Sequence, residues 1–338
     1  MGCCETKNNL EGQFKEKFVF ESIRRNNLKA LHKVTLTREF KEKKAFLIQN
    51  LDQEKVVFSG LNLNALSYSL ILGESDIFVY LHKLGCSISY MEKNFIDQGI
   101  NPINILCIKG YSSLLLYYLP IYISGLGSSL HLESYKLINS TIEEEFNPFP
   151  NQKYTPIHFA AIFEHIQIIT VIQEYFKSYS EIPKVFDLEY QDEDTGMNCP
   201  LLAVKYGNFA MVKFLHFNLR CDFNIKNAYG LNAIQIALYE MKFRPQKPYM
   251  AIICYLIDIV GINIDNMIDE LINDSEDPAL QGYFILKLKK QSELRSGRES
   301  EKSLFQYITI PENTTESIYS CRSEESGKSV VSTKEIIS

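Results

Sequence analysis

The sequence predicts an all-α solenoid: helix-turn-helix units stacked in series, a helical cap at each end and a disordered C-terminal tail. Three observations predict it. A start motif of Asn or Thr, a small residue or Pro, and an apolar helical run recurs five times in the 338 residues. A Gly or His commonly follows nine or ten residues later, where a second helix should begin. The apolar residues of that second helix fall on one stripe.

The five starts are Asn64-Ala65-Leu66, Asn101-Pro102-Ile103, Thr155-Pro156-Ile157, Asn198-Cys199-Pro200 and Asn232-Ala233-Ile234. They lie 37, 54, 43 and 34 residues apart. A helix-pair repeat needs about 33 residues, so the excess reads as insertions. Asn or Thr suits each start because its side-chain oxygen accepts an orphan backbone N–H. Pro in the next position loses nothing, since its missing N–H would be unpaired there.

The turn between paired helices is marked by Gly73, Gly110 and Gly207, where a left-handed residue is needed. In the third copy Glu164 stands there, followed by His165. The second helices then carry stripes such as Ile77, Phe78 and Leu81, or Met211, Val212 and Leu215. Before the array, Phe18–Thr35 reads as a capping pair with Ile23, Leu28, Leu31 and Val34 inward, because an end repeat must shield its inner face from water. Asp265–Asn273 and Pro278–Lys290 close the other end. Lys289–Ser338 holds eleven serines and few clustered hydrophobes, too little to offset chain entropy. The expected division is an N-terminal segment 1–15, a repeat domain 16–291 (cap 16–59, repeats about 60–264, cap 265–291) and a Ser-rich tail 292–338.

Thr155-Pro156-Ile157-His158-Phe159-Ala160-Ala161 resembles the Thr-Pro-Leu-His-x-Ala-Ala signature of ankyrin repeats. Gly73–Leu81 with Leu84–Ile88 looks like that family's second helix and closing turn. Asn227-Ala228-Tyr229-Gly230 resembles its Asp-x-x-Gly turn, and Glu193 to Gly196 has the same spacing. The resemblance covers roughly residues 60–264 and is most specific in the third to fifth copies. The fifth departs by an insertion, Phe243–Pro248. The family implies a protein-binding scaffold with a concave contact face, and a structural role for His158, bracing the repeat start at Thr155 or the backbone; His165 is read as its turn partner.

Composition narrows the function further. The formal charge of −6 is mild and no basic stripe of the kind phosphate neutralisation requires is read from the sequence, so nucleic acid is not an expected partner. Eight cysteines include no CxxC pair or zinc spacing, so no metal is expected and a reduced intracellular setting is the simplest reading. Cys86, Cys107, Cys221 and Cys254 read as packing residues. Without a Gly-rich phosphate loop or a nucleophile beside a base, no cofactor and no enzymatic activity are expected. The apolar stretches around Ser113–Gly127 and Ala251–Ile264 are interrupted by Pro120 and Asp258, so no membrane-spanning helix is expected.

Met1-Gly2-Cys3-Cys4-Glu5-Thr6 fits the N-myristoylation pattern, and Cys3 and Cys4 supply palmitoylation candidates beside Gly2. One myristoyl chain holds a protein only marginally and normally needs such a second signal. The acidic run Asp192-Glu193-Asp194 reads first as solvated loop. As a turn on the concave side, it makes Tyr190, Asp192, Asp194, Lys226 and Tyr229 contact candidates. Ser292 and Ser300 follow basic residues and are candidate phosphorylation sites. The expected protein is a monomeric, acyl-anchored adaptor on the cytoplasmic face of a membrane. Rival readings are a structural component of a cytoskeletal or ciliary assembly and an enzyme with an unrecognised site.

Overall fold

The computed structural model describes residues 16–125, 148–149 and 153–295. Residues 1–281 form one unit and 282–338 a second. Four short helices open the first unit: α1 (Glu16–Arg24), α2 (Leu28–Thr35), α3 (Arg38–Glu42) and α4 (Lys44–Gln53). Val19, Ile23, Leu31 and Leu51 are buried, as a cap requires, while Leu28 and Val34 are half-buried. The two-stranded hairpin β1 (Val56–Phe58) and β2 (Leu61–Leu63) follows, pairing Val57 with Asn62 across a Ser59-Gly60 turn.

The five start motifs each begin a helix. They are α5 (Ala65–Ile71), α8 (Pro102–Lys109), α10 (Pro156–Ile162), α12 (Cys199–Lys205) and α14 (Ala233–Phe243). Their partners are α6 (Ser75–Leu84), α9 (Ser112–Gly125), α11 (Ile166–Phe176), α13 (Phe209–Phe217) and α15 (Tyr249–Tyr255), the last extended by a π-helical turn over Leu256–Val260. From α8 onward the first helices pack directly on one another, α8 on α10, α10 on α12 and α12 on α14. Ala160, Ala161, Ala203, Ala233 and Ala237 on these helices are fully buried, and their small side chains let the backbones approach.

The capping logic holds at four starts. Asn64, Asn101, Asn198 and Asn232 accept from Ser67 N (2.8 Å), Ile103 N (2.9 Å), Leu201 N (3.1 Å) and Gln235 N (2.9 Å). Thr155 differs, because its buried hydroxyl finds no partner. There the Thr155 N–H donates to His158 Nδ1 at 3.2 Å instead.

A second set of bonds ties each turn to the copy before it. The last-turn carbonyls of a helix have no partner within it, and the residue entering the next copy's second helix supplies one. Tyr111 Oη donates to Ile71 O (3.4 Å) and His165 Nε2 to Ile108 O (2.9 Å). Asn208 Nδ2 donates to Ala161 O (3.0 Å) and Ile162 O (2.6 Å), and Tyr249 Oη to Lys205 O (2.7 Å). His165 is therefore a rung between copies and not the partner of His158. At Gly110 the need for glycine is double: φ is +73°, and a Cβ would sit 2.7 Å from the His165 ring.

Glu164 holds the same left-handed turn at φ +61°. A side chain there costs roughly 1–2 kcal/mol, against the smaller entropic cost of glycine. Glu164→Gly is therefore expected to raise stability by about 1 kcal/mol, read as a higher urea midpoint with unchanged slope.

Four features depart from the sequence reading. The closing turn stands at Gly85–Ser87 as expected, but an additional helix α7 (Ile88–Ile96) follows it, and Asn94, with Gln98 just past its end, bonds to Asn62 of β2. The hairpin adds strand to an all-α expectation. Helix α9 continues through Pro120; the carbonyl that loses its donor belongs to Leu116, whose side chain is exposed. At the C-terminal end, α16 (Ile268–Asp274) is followed by α17 (Pro278–Arg295), which runs past the boundary expected at 292 because good helix formers continue the pattern. Among the described residues no helix is long and apolar enough to cross a membrane.

Candidate protein-interaction surface

Two turns ahead of α12 and α14 carry the contact candidates. In the first, Asp192 closes the loop: its N–H donates to Met197 O (2.9 Å), and its carboxylate accepts from Asp194 N (3.1 Å), Thr195 N (2.7 Å), Met197 N (2.8 Å) and the Thr195 hydroxyl. In the second, Asn227 plays the same part with one residue fewer, its N–H donating to Leu231 O (2.9 Å) and its Oδ1 accepting from Tyr229 N (3.0 Å) and Leu231 N (2.9 Å). The acid that shapes the first turn is thus Asp192, one position before the Glu193 suggested by spacing.

The turns are laced side by side. Ala228 N donates to Thr195 O (3.0 Å), and Gln191 Nε2 reaches both Gly196 O (2.7 Å) and Lys226 O (2.8 Å). Asp192 is 2% exposed, so it supports the turn from within. Burial pushes its carboxyl up, but the hydrogen bonds outweigh burial and leave it below the usual carboxylate range. Tyr190 is half-buried, stacked on His158 with its carbonyl 3.0 Å from His158 Nε2, and Lys184 lies 4.3 Å over its ring. Asp194 and Lys226 are exposed, Asp194 sharing Lys153 with Glu193. Tyr229 at the tip is 72% exposed.

Toward the other ends of the first helices stand aromatic rings that the sequence reading missed. Phe149, where the long insertion returns, packs on Phe159, Phe163 and Tyr206 with centroids 5.8–6.4 Å away. Arg244 lies 5.1 Å over the other partner ring, Tyr206. On α14, Tyr239 and Phe243 face each other at 5.0 Å and are 57% and 64% exposed. The signal was present as Tyr239 and Phe243 four apart in a helix whose core positions were already assigned.

Burial raises the thiols of Cys86 and Cys221 to about 12, and those of Cys107 and Cys199 are raised by burial as well, so these four cysteines stay protonated. Among the described residues no cluster of His, Cys, Asp or Glu is placed to hold a metal. Ser292 is exposed near the end of α17, its hydroxyl donating to Lys289 O at 2.7 Å. Gly2, Cys3, Cys4 and Ser300 lie outside the described residues.

Residues 191–237, which span both turns and the helices α12 and α13 between them, match the family model described as ankyrin repeats in many copies. Over these residues the chain carries ankyrin repeats, and the helix pairs on either side stack on them in series. The crystal structure of an ankyrin repeat protein aligns over 73% of this chain and 99% of its own, at 18% identity and a TM-score of 0.40. None of the curated proteins matches the chain. Ankyrin repeats serve as surfaces for other proteins, and the laced turns are the part of this chain where the family match and the exposed side chains coincide.

Proposed function

We propose that the chain is an adaptor, held at a membrane by acyl groups on Gly2 with Cys3 or Cys4, that binds a protein through the tips and first-helix face of its later repeats. The observation that carries the binding half is the pair of rigid, laced turns with exposed Tyr229 and Lys226; the open aromatic pair Tyr239 and Phe243 extends the surface toward the far end of α14. Rigid aromatic side chains give large contact area for little lost freedom, and cations at the edge add orientation. Asp194 and Tyr190 flank the contact, and Asp192 holds its shape. The anchoring half rests on the acylation pattern and on two adjacent thiols able to take the second chain. No deep reactive cleft is called for in such a role.

Proximity labelling in cells, comparing wild type with Gly2→Ala and with Tyr229→Ala/Lys226→Glu, tests both halves. Gly2→Ala is expected to move the protein to the soluble fraction and remove membrane neighbours. The tip variant should stay on the membrane and lose a discrete subset of neighbours. A Gly2→Ala protein that remains membrane-bound refutes the anchor. An unchanged neighbour set in the tip variant refutes the binding surface.

A further inference from the structure

Residues 17–44 hold nine Lys and Arg against three Glu, in a chain whose formal charge is −6. This stretch builds α1 to α3 and the start of α4, and its inward positions, Val19, Ile23, Leu31 and Phe40, are buried. The cations are left outside. Lys29, Lys33, Lys41 and Lys44 are exposed, while Glu21 engages Arg24 and Arg25, and Glu42 engages Arg38.

Large apolar side chains stand among these cations. Leu36 is 65% exposed and Phe46 61%. Lys29, Lys33 and Leu36 share one face of α2 by their spacing of four and three. Lys44 and Phe46 lie in the first turn of α4, and the path from Leu36 to Phe46 bends on the one turn of α3, whose Phe40 points inward.

A solvated helix face keeps lysines without exposed Leu and Phe. The buried centre of a protein interface keeps aromatics and sheds lysines. Exposed Leu and Phe within a stretch dense in exposed lysines suit the bilayer interface, where apolar side chains enter the headgroup–acyl boundary and cations meet anionic headgroups.

We infer that the corner from α2 to α4 is a contact surface for anionic lipid bilayers. Leu36 and Phe46 insert, and Lys29, Lys33, Lys41 and Lys44 bind headgroup phosphates and carboxylates. The inference deepens the anchoring reading and rests on it for its place in the cell. Fifteen residues precede α1, and a chain of that length reaches at most about 50 Å, enough for an acylated Gly2 and this corner to meet one bilayer.

The test uses full-length protein made in bacteria without acylation, sedimented with vesicles. It should bind phosphatidylcholine vesicles containing about 30 mol% phosphatidylserine, and neither bind pure phosphatidylcholine nor hold on in about 0.5 M salt. Lys29→Glu/Lys33→Glu/Lys44→Glu should weaken binding about a hundredfold, at roughly fivefold for each cation near an anionic surface. Leu36→Ser/Phe46→Ser should weaken it about tenfold, and because all five positions are exposed, the melting temperature should not move.

Equal binding to neutral vesicles, no binding to anionic ones, or a charge-reversal variant that binds as wild type overturns the surface. So does tighter binding to a DNA oligonucleotide at the same salt, which would make the cations a nucleic-acid site. Failure in the vesicle assay with Gly2→Ala still released in cells removes the surface and leaves the anchor. The opposite pair of results removes the anchor and leaves the surface.

Discussion

Gly196→Ala is expected to lower stability by about 3 kcal/mol and the melting temperature by roughly 6–12 °C. Gly196 sits at φ +65°, where a Cβ costs roughly 1–2 kcal/mol by itself. Here the added methyl would also press into the backbone nitrogen of Ala228 in the neighbouring turn, and backbone cannot swing aside as a side-chain tip can. Relief requires the two turns to part, which breaks the Ala228 N to Thr195 O bond and strains the double reach of Gln191. Each such bond is worth about 1 kcal/mol.

Gly230→Ala is the internal control. It has φ +77° and open space where its Cβ would stand, so only the backbone strain remains, about 1 kcal/mol. Calorimetry of the two variants separates close packing from conformation. Equal losses would show that the turns are not held against each other.

The second large effect is acid sensitivity centred on His158. The imidazole is fully buried, and burial lowers its pKa to about 4, with Tyr190 O, Asp192 and Asp187 opposing the shift. An unfolded histidine titrates near 6.5. The folded value lies below the unfolded one, so this contribution is whole above pH 6.5 and is lost as pH falls toward 4. At pH 5 the loss is about 2 kcal/mol, or roughly 4–8 °C in melting temperature.

Other groups move in the same experiment. Burial lowers His82 in the same direction. Burial raises the carboxyls of Asp52, Glu74 and Glu189, which therefore gain stability as pH falls. The lowered carboxyl of Asp192 loses its share only below the usual carboxylate range, outside this window. The informative quantity is thus the difference between wild type and His158→Gln over pH 7 to 5. The variant should be less stable at pH 7 and lose less on acidification; parallel curves would place the neutral imidazole outside the pH response.

The helix starts were legible because an N-cap is a local contract between one side chain and the amide two or three residues on. Asn64, Asn101, Asn198 and Asn232 show it in the letters and in the hydrogen bonds. At Thr155 the brace expected of His158 is present, on the Thr155 N–H and on Tyr190 O, and only the unpaired Thr155 hydroxyl departs from the pattern. Helix α7 left a weaker trace: Ser87 as cap, then Met91 and Phe95 four apart, in the stretch between the closing turn and the next start where no element was assigned. The hairpin depended on Gln98 and Asn94, more than thirty residues away, and no local pattern announces such partners.

The contact candidates divided along the same line. Tyr229 and Lys226 were found as turn residues and are exposed. Asp192 looked identical in sequence, yet its neighbours' amides claim its carboxylate. Phe149 was beyond reach, since only the folded chain brings it onto Phe159 and Tyr206.

The rungs between successive turns carry a consequence for the order of the units. Tyr111 and His165 are ring side chains that lie over Gly73 and Gly110, whereas short Asn208 follows the one turn built on Glu164. A long arm meets a bare backbone, and a short arm meets a substituted one. Exchanging the third and fourth copies would bring the phenol of Tyr249 down on Glu164 and leave Ile108 O with only the short Asn208 to reach it. The modules are consequently not interchangeable cassettes, and their sequence of assembly is enforced by mismatched lengths rather than by the helices themselves.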